Sequence, residues 1–317
     1  MAYSAGDAIL DDEYNAFIGS TSDPFGYNHF AGTGALNFGL NQSAISAVSA
    51  GDAIAASSWN ALFTGLDNIA NHTNVSITAS SVSAGDAIAI RSALVSDLAS
   101  LAAAVAGGST GATALTDRAA GASTNGATWN ANSTIERSIT FANNATMRAF
   151  FNAGGSIKID PSTSGSVDGS KDTVFEELTA AAGVISFKAH ATSKAGGGGE
   201  TQTSFATGNG FYDMGTSYTS INKITSDNSG YTSDTLEIFA KLNAAPASAT
   251  VITIKQVGLD PAGDGTFTSG NLSSVPVNPN ECPALVLTLV ANEPTDAQGL
   301  AAAIQFASNA EVSNSES

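Results

Sequence analysis

Val48-Ser49-Ala50-Gly51-Asp52-Ala53-Ile54, followed by Trp59-Asn60-Ala61-Leu62, is the stretch on which the reading of the N-terminal third turns. Its six-residue core, Ser-Ala-Gly-Asp-Ala-Ile, occurs at Ser4–Ile9, Ser49–Ile54 and Ser83–Ile88, with spacings of 45 and 34 residues. Self-similarity of this kind marks copies of one small unit. The first two copies match further, because Tyr14-Asn15-Ala16-Phe17 stands at the same offset from its Asp as Trp59-Asn60-Ala61-Leu62. The third carries Ala93 and Leu94 where the aromatic and the Asn are expected, so it has degenerated or does a different job.

Gly followed by Asp suits a turn, and an Asp carboxylate can accept from the free N–H groups where a helix begins. Asp7, Asp52 and Asp86 are therefore expected to cap helices, in preference to binding cations across a symmetry axis. Downstream, the apolar residues follow a helical period. Leu62, Leu66 and Ile69 are spaced four and three, while Leu94, Leu98, Leu101 and Val105 run four, three, four until Gly107-Gly108 stops the helix. A four-three seam lets like helices pack together. Helices of about 15 residues are marginal alone in water, so these need each other or the same helices in neighbouring subunits. Those seven residues form the candidate assembly seam. Between copies one and two, Asp23–Asn41 reads as a loop bearing Phe25, Tyr27, Phe30, Leu36 and Phe38.

Beyond the repeats the period changes. Residues 107–134 are low in complexity and read as a linker. Runs with strand character follow at Ser138–Phe141, Ser156–Ile159, Val184–Ala189, Ser217–Ile224, Thr235–Leu242, Thr250–Val257 and Ala284–Val290. Ala145–Asn152 is a short amphipathic piece, and Asp172–Ala182 reads as one helix closed by Gly183. The expected fold is α+β and multidomain: helical repeats over 1–106, the linker, a β-rich domain over 135–294, and a loose tail over 295–317. Strands punctuated at these intervals argue for an antiparallel sandwich or jelly roll carrying one helix.

Composition narrows the function. Asp and Glu total 28 against 11 Lys and Arg, a net charge of −17, although charged residues are only 12% of the chain. Without a basic cluster there is no electrostatic footprint for nucleic acid. No run of 18 apolar residues offers a membrane span, and Met1–Leu10 lacks the basic-then-apolar plan of a secretory signal. The single cysteine, Cys282, excludes an intramolecular disulfide framework and a cysteine-based zinc site. The filler of Ala, Ser, Thr, Asn and Gly makes a neutral, hydrogen-bonding surface that suits a particle component.

The repeat unit quoted above resembles one found in bacteriophage virion structural proteins of the tail-fibre and tail-tip type. The second half resembles a domain of the same proteins through Ile139-Thr140-Phe141, Met147–Ile159 with its Phe150-Phe151-Asn152-Ala153-Gly154-Gly155 segment, Gly210–Met214 and Ser226–Ser233. The resemblance covers about three-quarters of the chain. It implies a virion component, and it brings no active site with it. Read from the residues alone, the Phe-Phe-Asn-x-Gly-Gly segment is a corner of the core: burial of one Phe stabilises by about 1.5–3 kcal/mol, and the glycines permit a tight reversal.

The candidate chemical groups have ordinary readings. His29, His72 and His190 show no metal-ligand spacing. Glu176-Glu177 gives two adjacent carboxylates, but glycosidase chemistry needs two converging across a cleft. Gly196–Gly199 lacks the Lys-Ser/Thr of a phosphate loop. Asp260–Thr266 has oxygen donors without the calcium-loop spacing and reads as a turn. The Asn-x-Ser/Thr matches at Asn41, Asn74, Asn132, Asn144 and Asn271 are what so Asn-rich a chain offers by chance.

The expected function is therefore a non-enzymatic virion part, without cofactor, of tail-fibre, tail-tip or baseplate type. Its partners would be itself, as a homotrimer, and other virion proteins. Two alternatives stand beside it: a capsid decoration or head-fibre protein, and a glycan-binding host-attachment module in which Tyr212, Tyr218 and Tyr231 stack on sugar rings.

Overall fold

The structure is a computed structural model. It describes residues 11–19, 26–28, 44–52, 54–73, 75–84, 91–106, 115–126, 128–129, 131–152, 154–165, 170–228, 231–261, 282–294 and 306–316. Two compact units emerge: Met1–Thr116 with Asn143–Gly155 and Glu293–Gln305, and Asp117–Ala142 with Ser156–Asn292 and Phe306–Ser317.

The first unit contains helices α1 (Asp11–Ile18), α2 (Ala56–Thr73), α3 (Arg91–Ala106) and α4 (Asn144–Asn152). The aromatic position of the repeat explains why α1 and α2 meet. Tyr14 sits edge-on to Trp59 with ring centroids 5.0 Å apart, and Phe17 and Phe63 flank the same indole at 6.0 and 5.9 Å. Around this cluster Leu62, Leu66, Ile69, Leu94, Leu98 and Leu101 are all buried in one core. Of the two kinds of partner expected for this seam, the structure shows the first: these six side chains pack against one another within one chain. Val105 lies on α3, and its side chain falls outside the described residues.

The second unit is β-rich. One sheet has the order β1-β11-β4-β5-β6, with β2 also paired to β11; the other runs β12-β3-β10-β9-β8-β7. The strands are β1 (Leu115–Thr124), β2 (Thr128–Trp129), β3 (Asn132–Phe141), β4 (Ser156–Ser164), β5 (Val184–Phe187), β6 (Thr192–Ala195), β7 (Thr201–Phe205), β8 (Thr219–Thr225), β9 (Thr235–Leu242), β10 (Val251–Leu259), β11 (Cys282–Pro294) and β12 (Phe306–Glu316). Alternation decides their inner faces: Leu236, Ile238, Ala240 and Leu242 of β9 are buried while the residues between them are not. Helix α5 (Ser170–Ala182) packs on β4 of one sheet and on β7, β8 and β9 of the other. Gly183 ends it at φ +62°, donating to the Thr179 and Ala180 carbonyls as a left-handed C-terminal cap.

Two expectations are corrected. The expected linker contains β1 and β2, and the expected loose tail contains β12, paired with β3 along its length. Neither segment reads as a strand because polar residues hold both. Arg137 of β3 donates to Ser123 Oγ of β1 at 2.5 Å and to Asn309 Oδ1 of β12 at 2.9 Å. Asn309 Nδ2 donates to the Leu289 carbonyl, and Asn314 Nδ2 to the Thr124 carbonyl, both at 2.9 Å.

Candidate functional site

The repeat unit is built around its asparagine. Asn15 Nδ2 donates to the Val48 carbonyl at 2.9 Å, and its Oδ1 accepts from the Val48 N–H at 2.9 Å. Asn60 does the same to Val82, at 2.9 and 2.8 Å. Val48 and Val82 each directly precede the Ser-Ala-Gly of the next copy, so every Asn grips the entry of its successor as a second peptide group would. The third copy has no successor, which accounts for the missing aromatic–Asn pair. Further side chains hold the same entry segments. Asn28 grips Ile45 with bonds of 2.8 and 2.9 Å. Buried Asp97 accepts from the Thr78 and Ala79 N–H groups at 2.9 and 2.8 Å.

The Asp of the repeat does not cap a helix where it is described. Asp52 Oδ2 accepts from the Ser49 N–H at 3.0 Å, the Asp52 N–H returns a bond to the Ser49 carbonyl, and α2 starts only at Ala56. Gly51, at φ +89°, supplies the positive φ that the third residue of this four-residue turn requires. Asp7 and Asp86 lie outside the described residues, as does His29.

The three tyrosines expected as glycan contacts are each half-buried, in different surroundings. Tyr212 stacks on His190 at 5.0 Å, and the ammonium groups of Lys241 and Lys255 each lie 4.1 Å from the Tyr218 ring centroid. Burial, with Glu136 beside it, pushes the Tyr218 phenol up. Tyr231 is half-buried in the β8–β9 connection. Glu176 and Glu177 are both exposed, and the carboxylate that meets Glu177 is Glu200: Asn228 Nδ2 donates to both at 2.7 Å. Burial raises Glu200, and the Asp227 N–H opposes that shift. An open groove of about 430 Å³ beside α5 is lined by Asp160, Ser162, Thr163 and Glu176. Among the described residues, no group of three or more His, Cys, Asp or Glu is placed to hold a metal.

Sequence reasoning missed a cluster inside the second unit. Lys171, in the first turn of α5, has its side chain 3% exposed and its Nζ 2.6 Å from Oδ2 of Asp260, which is 0% exposed. Asp260 stands one rung beyond the Leu259–Thr235 pair of the β10–β9 ladder, opposite Asp234, which is also fully buried. The backbone of both residues is fixed from their other sides: Asp260 N–H donates to the Ala131 carbonyl, next to β3, and Ser226 N–H, next to β8, donates to the Asp234 carbonyl, each at 2.9 Å. Neither Asp234 oxygen nor Asp260 Oδ1 receives a donor among the described residues. Two carboxylates facing each other in a dry interior cannot both ionise. Burial, and then the Asp260 charge, push Asp234 up to about 7 against the pull of Lys171. The proton on Asp234 then supplies the hydrogen bond that two acceptors lack. Cys282 Sγ donates to Asp260 Oδ2 at 3.6 Å, and burial pushes its thiol up, so it acts as a donor.

Apolar groups pack closely at Gly258 of β10, two residues before Asp260. A Cβ on Gly258 would lie 2.6 Å from Leu285 Cδ1 and 2.9 Å from the Trp129 ring. Trp129 meets Phe175 edge-on at 4.8 Å and donates its Nε1 to the Pro283 carbonyl at 2.7 Å. These residues define an α+β protein whose second unit is mostly antiparallel sheet around a sealed ionic core. Compared with known proteins, the chain matches no family model, no curated relative and no solved structure.

Proposed function

We propose that the chain is a non-enzymatic structural component of a bacteriophage virion, of the tail-fibre, tail-tip or baseplate-associated kind. The observation that carries this reading is the chained repeat, in which each Asn grips the backbone at the head of the next unit. Such an array spends its asparagines on backbone geometry around a shared apolar core. The small polar filler of the sequence and the resemblance of the repeat and of the Phe-Phe-Asn-x-Gly-Gly segment support the same assignment. On this reading the two sheets are the faces of a jelly-roll-like sandwich, and the helical repeats form a separate docking module.

Self-assembly, with a trimer as the expected state, belongs to the proposal. It must use surfaces other than the leucine seam, whose side chains are buried within the chain. Antibody-labelled electron microscopy of purified virions tests the location: label on the tail is expected, label on the capsid selects the decoration reading, and unlabelled particles contradict both. Light scattering of the intact protein tests assembly. A folded monomer at micromolar concentration would remove the trimer.

A further inference from the structure

A lysine at the N-terminal end of a helix is electrostatically misplaced, because that end already carries partial positive charge. Lys171 is there and is also out of water, facing one carboxylate at bonding distance with a second behind it. A well-packed apolar trio would fill this space with no desolvation penalty, so stability alone does not account for the group. Four features fit a chemical task instead. An amine and a carboxyl are held together, a proton-bearing acid stands across the rung, all three side chains are out of water, and close packing at Gly258 holds the strand that ends in Asp260.

We propose that Lys171 and Asp260 condense spontaneously to an intramolecular isopeptide bond, with Asp234 as the proton relay. In a dry site the ion pair and the neutral amine–acid pair compete, since isolated charges are disfavoured there. Transfer of one proton from Nζ to the Asp260 carboxyl leaves a free lone pair on nitrogen. Asp234, directing its proton at Asp260 Oδ1, draws electrons from Cγ. The Nζ lone pair attacks Cγ, forming the N–C bond. The C–O bond to the protonated oxygen then breaks, and the hydroxyl leaves with a proton that came from Nζ by way of Asp234. Lysine ammonium and aspartate become an amide and one water, and Asp234 ends as it began. Nothing is oxidised or reduced, and no co-reactant is consumed. The inference stands on this geometry and is independent of the virion assignment.

The test is intact-mass spectrometry of the denatured full-length chain, followed by a tryptic map. The expected mass is one water below that of the sequence, with a branched peptide joining the segments that contain Lys171 and Asp260. A folded wild-type chain that keeps its full mass after prolonged incubation at neutral pH overturns the proposal. So does a loss of water with no branched peptide. K171R and D260A should both retain the full mass of their sequences. D234N, which keeps the shape of the relay and removes its acid, is expected to fold and stay uncrosslinked. If D234N closes the bond as wild type does, the relay assignment is wrong. The wild-type measurement needs no variant, so a variant that fails to fold leaves the test intact.

Discussion

Asparagine is the residue through which this composition acquires meaning. Its amide offers the donor and the acceptor of a peptide group, so one side chain can complete the hydrogen bonding of a backbone segment that has no strand beside it. Asn15, Asn28 and Asn60 do this in the first unit. In the second, Asn125 exchanges bonds with Leu285, donating its own N–H at 3.1 Å and accepting the Leu285 N–H on its side chain. Asn60→Ala leaves both Val82 groups without this partner, and is expected to destabilise the first unit by about 1–3 kcal/mol. Thermal denaturation followed by circular dichroism should show the loss. An unchanged unfolding midpoint would mean that the grip is incidental. At the same scale, Asp234 sets a pH dependence. Its folded-state pKa is raised to about 7, so the acid form that relays the proton dominates below that pH and is lost above it. In freshly refolded chain, the rate of water loss should fall as pH rises through about 7. A rate that climbs steadily to pH 9 would contradict the relay.

Elements were legible in proportion to how much of their stability comes from apolar contact. The alternation in Thr235–Leu242 predicts β9 with the bounds it has, and Gly183 predicts the end of α5. The four-three leucines predict α2 and α3, but not that they pack within one chain, since period says nothing about which molecule supplies the partner. β1 and β12 were not legible, because Leu115–Thr124 and Phe306–Glu316 offer little apolar alternation. A guanidinium and two asparagines hold them instead, and those contacts span 172 residues between Arg137 and Asn309. Gly121 carries the packing side of that arrangement: a Cβ there would come within 2.3 Å of Arg137 Nη2. Gly121→Ala should therefore displace the guanidinium and cost about 1–3 kcal/mol, as overpacking does. The loss should appear as faster proteolytic cleavage near β1 and β12. Equal cleavage of variant and wild type would show that Arg137 does not tie these strands down.

Over the whole molecule the repeat was legible as a pattern and the ionic core was not. Lys171, Asp234 and Asp260 come from a helix start and two strand ends, the lysine and its carboxylate partner stand 89 positions apart, and no spacing rule joins them. Only the fold makes them neighbours. A covalent link over that span would restrict the unfolded chain as a disulfide of similar loop length does, by about 4–5 kcal/mol. Wild type should accordingly outlast K171R in guanidinium by more than one lost ion pair explains, and equal midpoints would argue against a bond. A brace of this kind suits a part that bears load at a particle's surface. The most direct measurement is the intact mass of this chain recovered from purified virions and denatured under reducing conditions. The expected result is a chain lighter than its sequence by one water, with Lys171 and Asp260 in one branched peptide. A chain present at full mass would contradict the bond, and particles that lack the chain would contradict its place in the virion.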